Sequence, residues 1–159
     1  MKVCVVGAGA IGGMVGVRLA LAGADVTLIA RGAHLDAIKR DGLKLIMNDG
    51  SEHVASDVKA TSDMREVGHQ DLVILALKAH QIAPVVDEIC SLFGPGSVVL
   101  TMQNGIPWWY FQRHGGPFEG HVIKSLDPHG YLSKRVEPER IIGCIAYPAA
   151  EIVRPGVIQ

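Results

Sequence analysis

The sequence predicts an α/β protein built on a doubly wound, mainly parallel sheet. Three observations carry this. Short runs such as VCVV, DLVILAL and SVVL are continuously apolar rather than alternating, the pattern of strands covered on both faces. Helical segments separate several of them, and strands alternating with helices close into parallel crossovers. Finally, 48% of the 159 residues are hydrophobic and 19% charged, which suits one sizeable core and excludes a disordered chain.

Taken in order, Val3–Val6 reads as the first strand, Gly7–Gly13 as a turn, and residues 14–22 as a helix stopped by Gly23. Asp25–Ala30 is a second strand, and Ala33–Arg40 a charged helix ended by Asp41-Gly42. Leu43–Met47 and His53–Lys59 form a hairpin across Asn48-Asp49-Gly50. Asp71–Leu77 is a buried strand, followed by a helix from about Gln81 to Leu92. Gly94-Pro95-Gly96 breaks the chain before the strand Ser97–Met102. Residues 105–140, interrupted by Pro107, Pro117, Pro128 and Pro138, are loop-rich, and 108–140 reads as an insertion. Ile141–Ala146 and Ile152–Ile158 return as short strands around Pro148, so 1–159 reads as one domain.

Several function classes drop out. Fifteen basic against sixteen acidic residues give a net charge of −1, which favours neither nucleic acid nor an anionic membrane. The uncharged stretch 3–17 contains five glycines and falls short of the roughly 20 residues that span a bilayer. Cys4, Cys90 and Cys144 are too few and too scattered for a disulfide framework or a zinc site, and point to a reducing cytoplasm. His114, His121 and His129 match no metal motif, so no metal is expected. Trp108-Trp109-Tyr110-Phe111 lacks a basic stripe and reads as a loop packed on its own or a neighbouring domain.

The chemistry gathers at strand ends. Gly7-Ala8-Gly9-Ala10-Ile11-Gly12 is G-x-G-x-x-G, placed directly after a strand and before a helix, the context a Rossmann-like dinucleotide site requires. Gly7 permits the tight turn, Gly9 the approach of a pyrophosphate and Gly12 close helix packing, with the helix N-terminus facing the phosphates. Where an NAD site carries Asp or Glu at the end of the second strand, this chain has Arg31, nineteen residues after Gly12. A guanidinium there pairs with a 2′-phosphate, so the cofactor reads as NADP(H). Leu77-Lys78-Ala79-His80-Gln81 and Thr101-Met102-Gln103-Asn104-Gly105-Ile106-Pro107 follow two further strands, where such sheets bind ligands. Spacing alone leaves them open between a ligand site and, respectively, a helix-capping cluster and an Asn-Gly turn.

GAGAIG, LIARG, LALKAHQ and MQNGIP, in that order, resemble the ketopantoate reductases (2-dehydropantoate 2-reductases). The likeness extends over 1–107 and 141–159, through IIGCIAYPAAEIVRPGVIQ. It implies NADPH-dependent reduction of ketopantoate to D-pantoate, a step toward pantothenate and coenzyme A. It further implies that the loop Gly7–Gly12 holds the pyrophosphate and Arg31 the 2′-phosphate. Lys78 and Gln81 would line the cofactor channel. Asn104 would lie near the nicotinamide and orient substrate, and Ala150 would offer a backbone contact to NADP.

The family keeps its general-acid lysine and most substrate-binding groups in a helical C-terminal domain, which this chain does not contain. No catalytic residue is therefore expected within 1–159, and Lys124 and Lys134 match no catalytic motif. The chain alone is expected to bind cofactor, turn over little, and form a homodimer or aggregate through apolar residues 106–111 bordering the inter-domain cleft. Two other readings stand beside this one: a reductase of another small 2-keto acid, and a non-catalytic nucleotide-sensing module.

Overall fold

The aliphatic runs form strands that bury both faces. A computed structural model describes every residue from Met1 to Gln159. In chain order its first elements are β1 (Lys2–Val6), α1 (Ala10–Leu21), β2 (Asp25–Ile29), α2 (Gly32–Asp41), β3 (Leu43–Ile46), β4 (Glu52–Ala55) and β5 (Lys59–Thr61). Then come β6 (Gln70–Leu75), α3 (Val86–Cys90), β7 (Phe93–Thr101), α4 (Tyr131–Arg135), β8 (Ile141–Gly143), β9 (Ile152–Arg154) and β10 (Val157–Ile158).

Six strands make a wholly parallel sheet in the order β5-β2-β1-β6-β7-β8. The chain winds outward from β1 in one direction, then returns to β6 on its other side, so the winding reverses between β1 and β6. Sheets of this kind bind ligands just past the strand ends at such a reversal. Alternate residues of β1 serve opposite cores: Val3 and Val5 pack with Leu28, Ile38 and Leu43, while Cys4 and Val6 pack with Val73, Ile89 and Trp108. A four-stranded sheet, β4-β3-β10-β9, covers the outer face of α1. Gly13 makes room for this layer, because a side chain there would run into Ile158 and Leu43.

Six expectations need correction. The glycine segment is a turn only as far as Gly9; the helix starts at Ala10, so Gly12 and Gly13 lie within it. The strand expected over His53–Lys59 is two: β4 completes the hairpin with β3, and β5 joins the main sheet beside β2. No continuous helix spans Gln81–Leu92, because Pro84 lacks an N–H and disfavours helical backbone before it. Two 3₁₀ turns, Ala79–Gln81 and Ala83–Val85, precede the short α3 instead.

Gly94-Pro95-Gly96 does not end an element; β7 runs through it. Side chains supply the missing partners: Gly94 N–H donates to Ser97 Oγ, and Arg140 Nη1 donates to the Gly94 and Ser97 carbonyls at 2.9 and 3.1 Å. The strand expected over Ile152–Ile158 folds back on itself at Pro155-Gly156, giving antiparallel β9 and β10. The 106–111 segment is not uniformly an open face either. Trp108 is 3% exposed and belongs to the core, whereas Ile106 is 63% exposed.

Candidate cofactor site

β1 ends at Val6 and β6 at Leu75, side by side at the point of reversal. The Ala76 N–H donates to the Val6 carbonyl at 3.0 Å and the Ala8 N–H to the Ile29 carbonyl at 2.8 Å, which pins the glycine turn to both neighbouring strands. Gly7 has φ +100°, a conformation that suits glycine, and a Cβ there would lie 2.8 Å from Leu77 Cδ2. A Cβ on Gly12 would collide with the Gly7 carbonyl and come within 2.7 Å of Ala76 Cβ. These glycines bring α1 down onto the turn.

The end of α1 that results is open to an anion. Its first helical hydrogen bond runs from the Gly13 N–H to the Gly9 carbonyl at 2.7 Å, so the N–H groups of Ala10, Ile11 and Gly12 have no partner within the helix. No side chain caps it and no acidic residue occupies its first turn. The positive end of the helix dipole is therefore uncompensated.

Two clefts, of about 570 and 620 Å³, flank the turn and share Gly7, Gly9, Leu77 and Gln81 in their walls. The first also carries Ala8, Arg31, His34, Met64 and His80. The second carries Ala10, Ile11, Lys78, Met102, Gln103, Asn104, Ala146 and Pro148. Neither contains a carboxylate. A bipartite trough with an uncapped helix N-terminus at its waist and only cationic charges in its walls fits a dinucleotide. Arg31 is exposed at the end of β2 and forms no ion pair, leaving its guanidinium free for a ligand.

Of the residues singled out from the sequence, Gly7, Ala8, Gly9, Ala10, Ile11, Arg31, Lys78, Gln81 and Asn104 line this trough, and Gly12 lies beneath it. Ala150 lines neither cleft and packs, partly buried, against the core on the α1 side. Lys124 and Lys134 are also outside both walls. Gln81 holds the loop after β6 in shape, its Oε1 accepting the Lys78 N–H at 3.0 Å. Asn104 is engaged at both ends of its amide: Nδ2 donates to the Ala146 carbonyl at 3.0 Å, and Oδ1 accepts the Ala146 N–H at 2.9 Å.

Two polar wall residues hold positions that the sequence did not assign: Gln103, visible there only as part of its segment, and His34. Gln103 Nε2 donates to the Leu75 and Leu77 carbonyls at 2.7 and 3.2 Å, securing the end of β6. His34, in the first turn of α2, accepts the Gly156 N–H at Nδ1, 3.1 Å away. Burial holds its imidazole below the usual histidine range, opposed in part by the nearby Ala8 backbone. The only signal available for His34 is its position three residues after Arg31, on the helix that leaves the second strand.

Comparison with known proteins agrees with this geometry. Residues 3–108 match the family model described as ketopantoate reductase PanE/ApbA. The whole chain is 49% identical over 160 residues to a 2-dehydropantoate 2-reductase of Mesorhizobium japonicum, covering 48% of that protein. It is 39% identical over its full length to the enzyme of the same name from Pyrococcus horikoshii, covering 44% of it. A crystal structure assigned as a ketopantoate reductase from Ralstonia solanacearum superposes on 98% of the chain and 48% of its own, with a TM-score of 0.89 and 42% identity. A D-mandelate dehydrogenase solved with NADH and anilino(oxo)acetate superposes on 99% of the chain and 45% of its own, with a TM-score of 0.75 and 28% identity. The chain thus spans about half the length of the curated relatives it matches. A parallel sheet that reverses at a glycine turn, matched over two thirds of its residues by one family model, places this chain in the PanE/ApbA ketopantoate reductase family.

Proposed function

We propose that the chain is the NADP(H)-binding half of a cytoplasmic 2-dehydropantoate 2-reductase, which reduces ketopantoate to D-pantoate toward pantothenate and coenzyme A. The observation that carries this is the pair of carboxylate-free clefts meeting at the glycine turn, with unpaired Arg31 in the first. The three unpaired cysteines suit a reducing compartment.

When bound, the nicotinamide supplies the hydride for the keto carbon. The chain's own residues bind and orient. The N–H groups of Ala10, Ile11 and Gly12 would hold the pyrophosphate, and Arg31 would pair with the 2′-phosphate. Lys78 adds a positive charge to the second cleft, and Gln81 keeps the Lys78 backbone in place between the two clefts. Asn104 fixes Ala146 in the wall of the second cleft and orients substrate through that wall and its remaining amide hydrogen. The proton for the developing alkoxide comes from a lysine in the remaining half of the full-length protein.

The likeness to a D-mandelate dehydrogenase favours a second reading, in which the substrate is another small 2-keto acid. Two measurements test the proposal. Fluorescence titration of this chain with NADPH should saturate, with little turnover of ketopantoate. A keto-acid panel assayed with the full-length protein should give the highest kcat/KM for ketopantoate. No saturation with NADPH overturns the cofactor assignment, and a higher kcat/KM for another acid moves the substrate.

A further inference from the structure

His34 stands where three parts of the fold meet. It belongs to the first turn of α2, its ring lies against the Ala8 backbone of the glycine turn, and its Nδ1 accepts the Gly156 N–H of the β9–β10 turn. The same ring lines the first cleft, and Ile152 of β9 lines it too. One side of that cleft is therefore carried by the main sheet and another by the small sheet, and the His34–Gly156 bond joins them.

The bond also fixes the protonation state. An imidazole nitrogen that accepts an N–H carries no proton, so Nδ1 is bare and the ring's single proton is on Nε2. Nε2 is sealed from solvent, and the Ala8 backbone is the ring's other polar neighbour. Protonating the ring would turn Nδ1 into a donor facing the Gly156 donor and would place a charge in a desolvated position.

We infer that His34 is a positioning residue of the cofactor site: in its neutral form it ties the β9–β10 turn to α2 and the glycine turn, and so sets the first cleft for the adenosine end of the dinucleotide. Acid releases the tie. Because burial lowers the ring's folded-state pKa, the tie is fully present above the ordinary histidine value near 6.5 and is lost as pH falls through the lowered value. The charged and titratable groups around the junction are Arg31 and His80 in the cleft, with Asp36, Arg40 and Asp41 of α2, Lys44 of β3 and Arg154 of β9 around Gly156. None of them contributes to the shift of His34, which comes from burial and from Ala8.

The inference rests on the dinucleotide reading for its ligand but not for its geometry, and two measurements separate the two. Calorimetric titration with NADP⁺ at pH 8 and pH 5.5 compares the unaltered chain with His34→Ala and His34→Asn; the ligand and every other residue are common to all three, so their effects cancel in the ratios. His34→Ala should bind about tenfold more weakly at pH 8. His34→Asn, whose amide oxygen can still accept the Gly156 N–H, should recover most of that loss and weaken less at pH 5.5 than the unaltered chain. Equal affinity of His34→Ala and the unaltered chain at pH 8, or an unchanged pH dependence in His34→Asn, overturns the inference. Nitrogen NMR of the free chain should show a neutral ring protonated at Nε2, with Gly156 amide exchange speeded by His34→Ala. A proton on Nδ1 overturns the inference without any ligand. If no version binds NADP⁺, the cofactor assignment falls and with it the ligand role of His34, while the NMR result still decides the tie itself.

Discussion

Asn104 and Ala146 hold each other through two hydrogen bonds, the side-chain amide of one matching the backbone amide of the other. The pair bridges the segment after β7 to the segment after β8, and both residues line the second cleft. Replacing Asn104 with Ala removes both bonds. At an exposed position the net cost to stability should be about 1 kcal/mol, at the low end for two hydrogen bonds. The larger effect belongs to the site, since the wall carrying Ala146 is freed. Asn104→Ala should therefore move the urea midpoint slightly while raising the Kd for NADPH severalfold. A midpoint shift with no change in Kd removes Asn104 from the site.

Arg31 tests cofactor choice. It has no partner in the protein, so its removal leaves no orphaned charge behind and changes mainly the ligand's environment. A hydrogen bond to a charged group contributes about 1.5–3 kcal/mol, roughly ten- to a hundredfold in affinity. Arg31→Ala should weaken NADPH by that factor and leave NADH nearly unaffected, as read by paired titrations. A preference for NADPH that survives the substitution assigns the 2′-phosphate elsewhere.

How much of this could be read from the chain depends on how local the cause is. The glycine turn, Arg31 and the segments at Lys78 and Asn104 are contiguous, and each follows a strand whose apolar run is visible by itself. β5 is only Lys59-Ala60-Thr61, with no apolar run, and exists because β2 offers it an edge. β10 is two residues long and is held by β3, more than a hundred positions earlier. His34 acquires its role from Gly156, 122 residues away. Strand pairing and side-chain bonds across such distances leave no periodicity to read. Pro84 and the Gly94–Gly96 segment failed differently. The proline is visible in the sequence and by itself limits the helix, whereas the strand through Gly94 depends on Ser97 and the remote Arg140.

Asp127 predicts an acid limb in the unfolding of this chain. It is 1% exposed and accepts from the N–H groups of Tyr131, Leu132 and Ser133 and from the Ser133 hydroxyl at 2.6–3.0 Å. Burial works to raise its pKa, but the hydrogen bonds from Ser133, Leu132 and Tyr131 prevail and hold it below the usual carboxylate range. For a lowered carboxylate the stabilisation is complete above the unfolded value near 4 and is lost as pH falls through the folded value. Asp127→Asn, which faces the same donors with one acceptor fewer, should cost about 1–2 kcal/mol at pH 7. The difference from the unaltered chain should shrink toward pH 3, in urea midpoints measured across that range. A pH-independent difference means that Asp127 does not titrate in this way.

Self-association should run through the rim of the second cleft and not through Trp108. Because Trp108 is 3% exposed within the core, Trp108→Glu would bury a charge and should unfold the chain rather than dissociate it. The exposed apolar groups next to the Asn104–Ala146 pair in the chain are Ile106, Ile145 and Tyr147, 63%, 60% and 87% exposed. Ile145 and Tyr147 flank Ala146 and Ile106 lies two residues beyond Asn104, so the two Asn104–Ala146 bonds hold their backbones near one another. Burying a large apolar side chain contributes about 1.5–3 kcal/mol, so three in one patch give a substantial drive to association. Sedimentation velocity at rising concentration should show dimers or larger species, and Ile145→Glu with Tyr147→Glu should return the chain to monomer with its NADPH titration intact. A chain that is already monomeric at high concentration, before any substitution, leaves this face without a role in association.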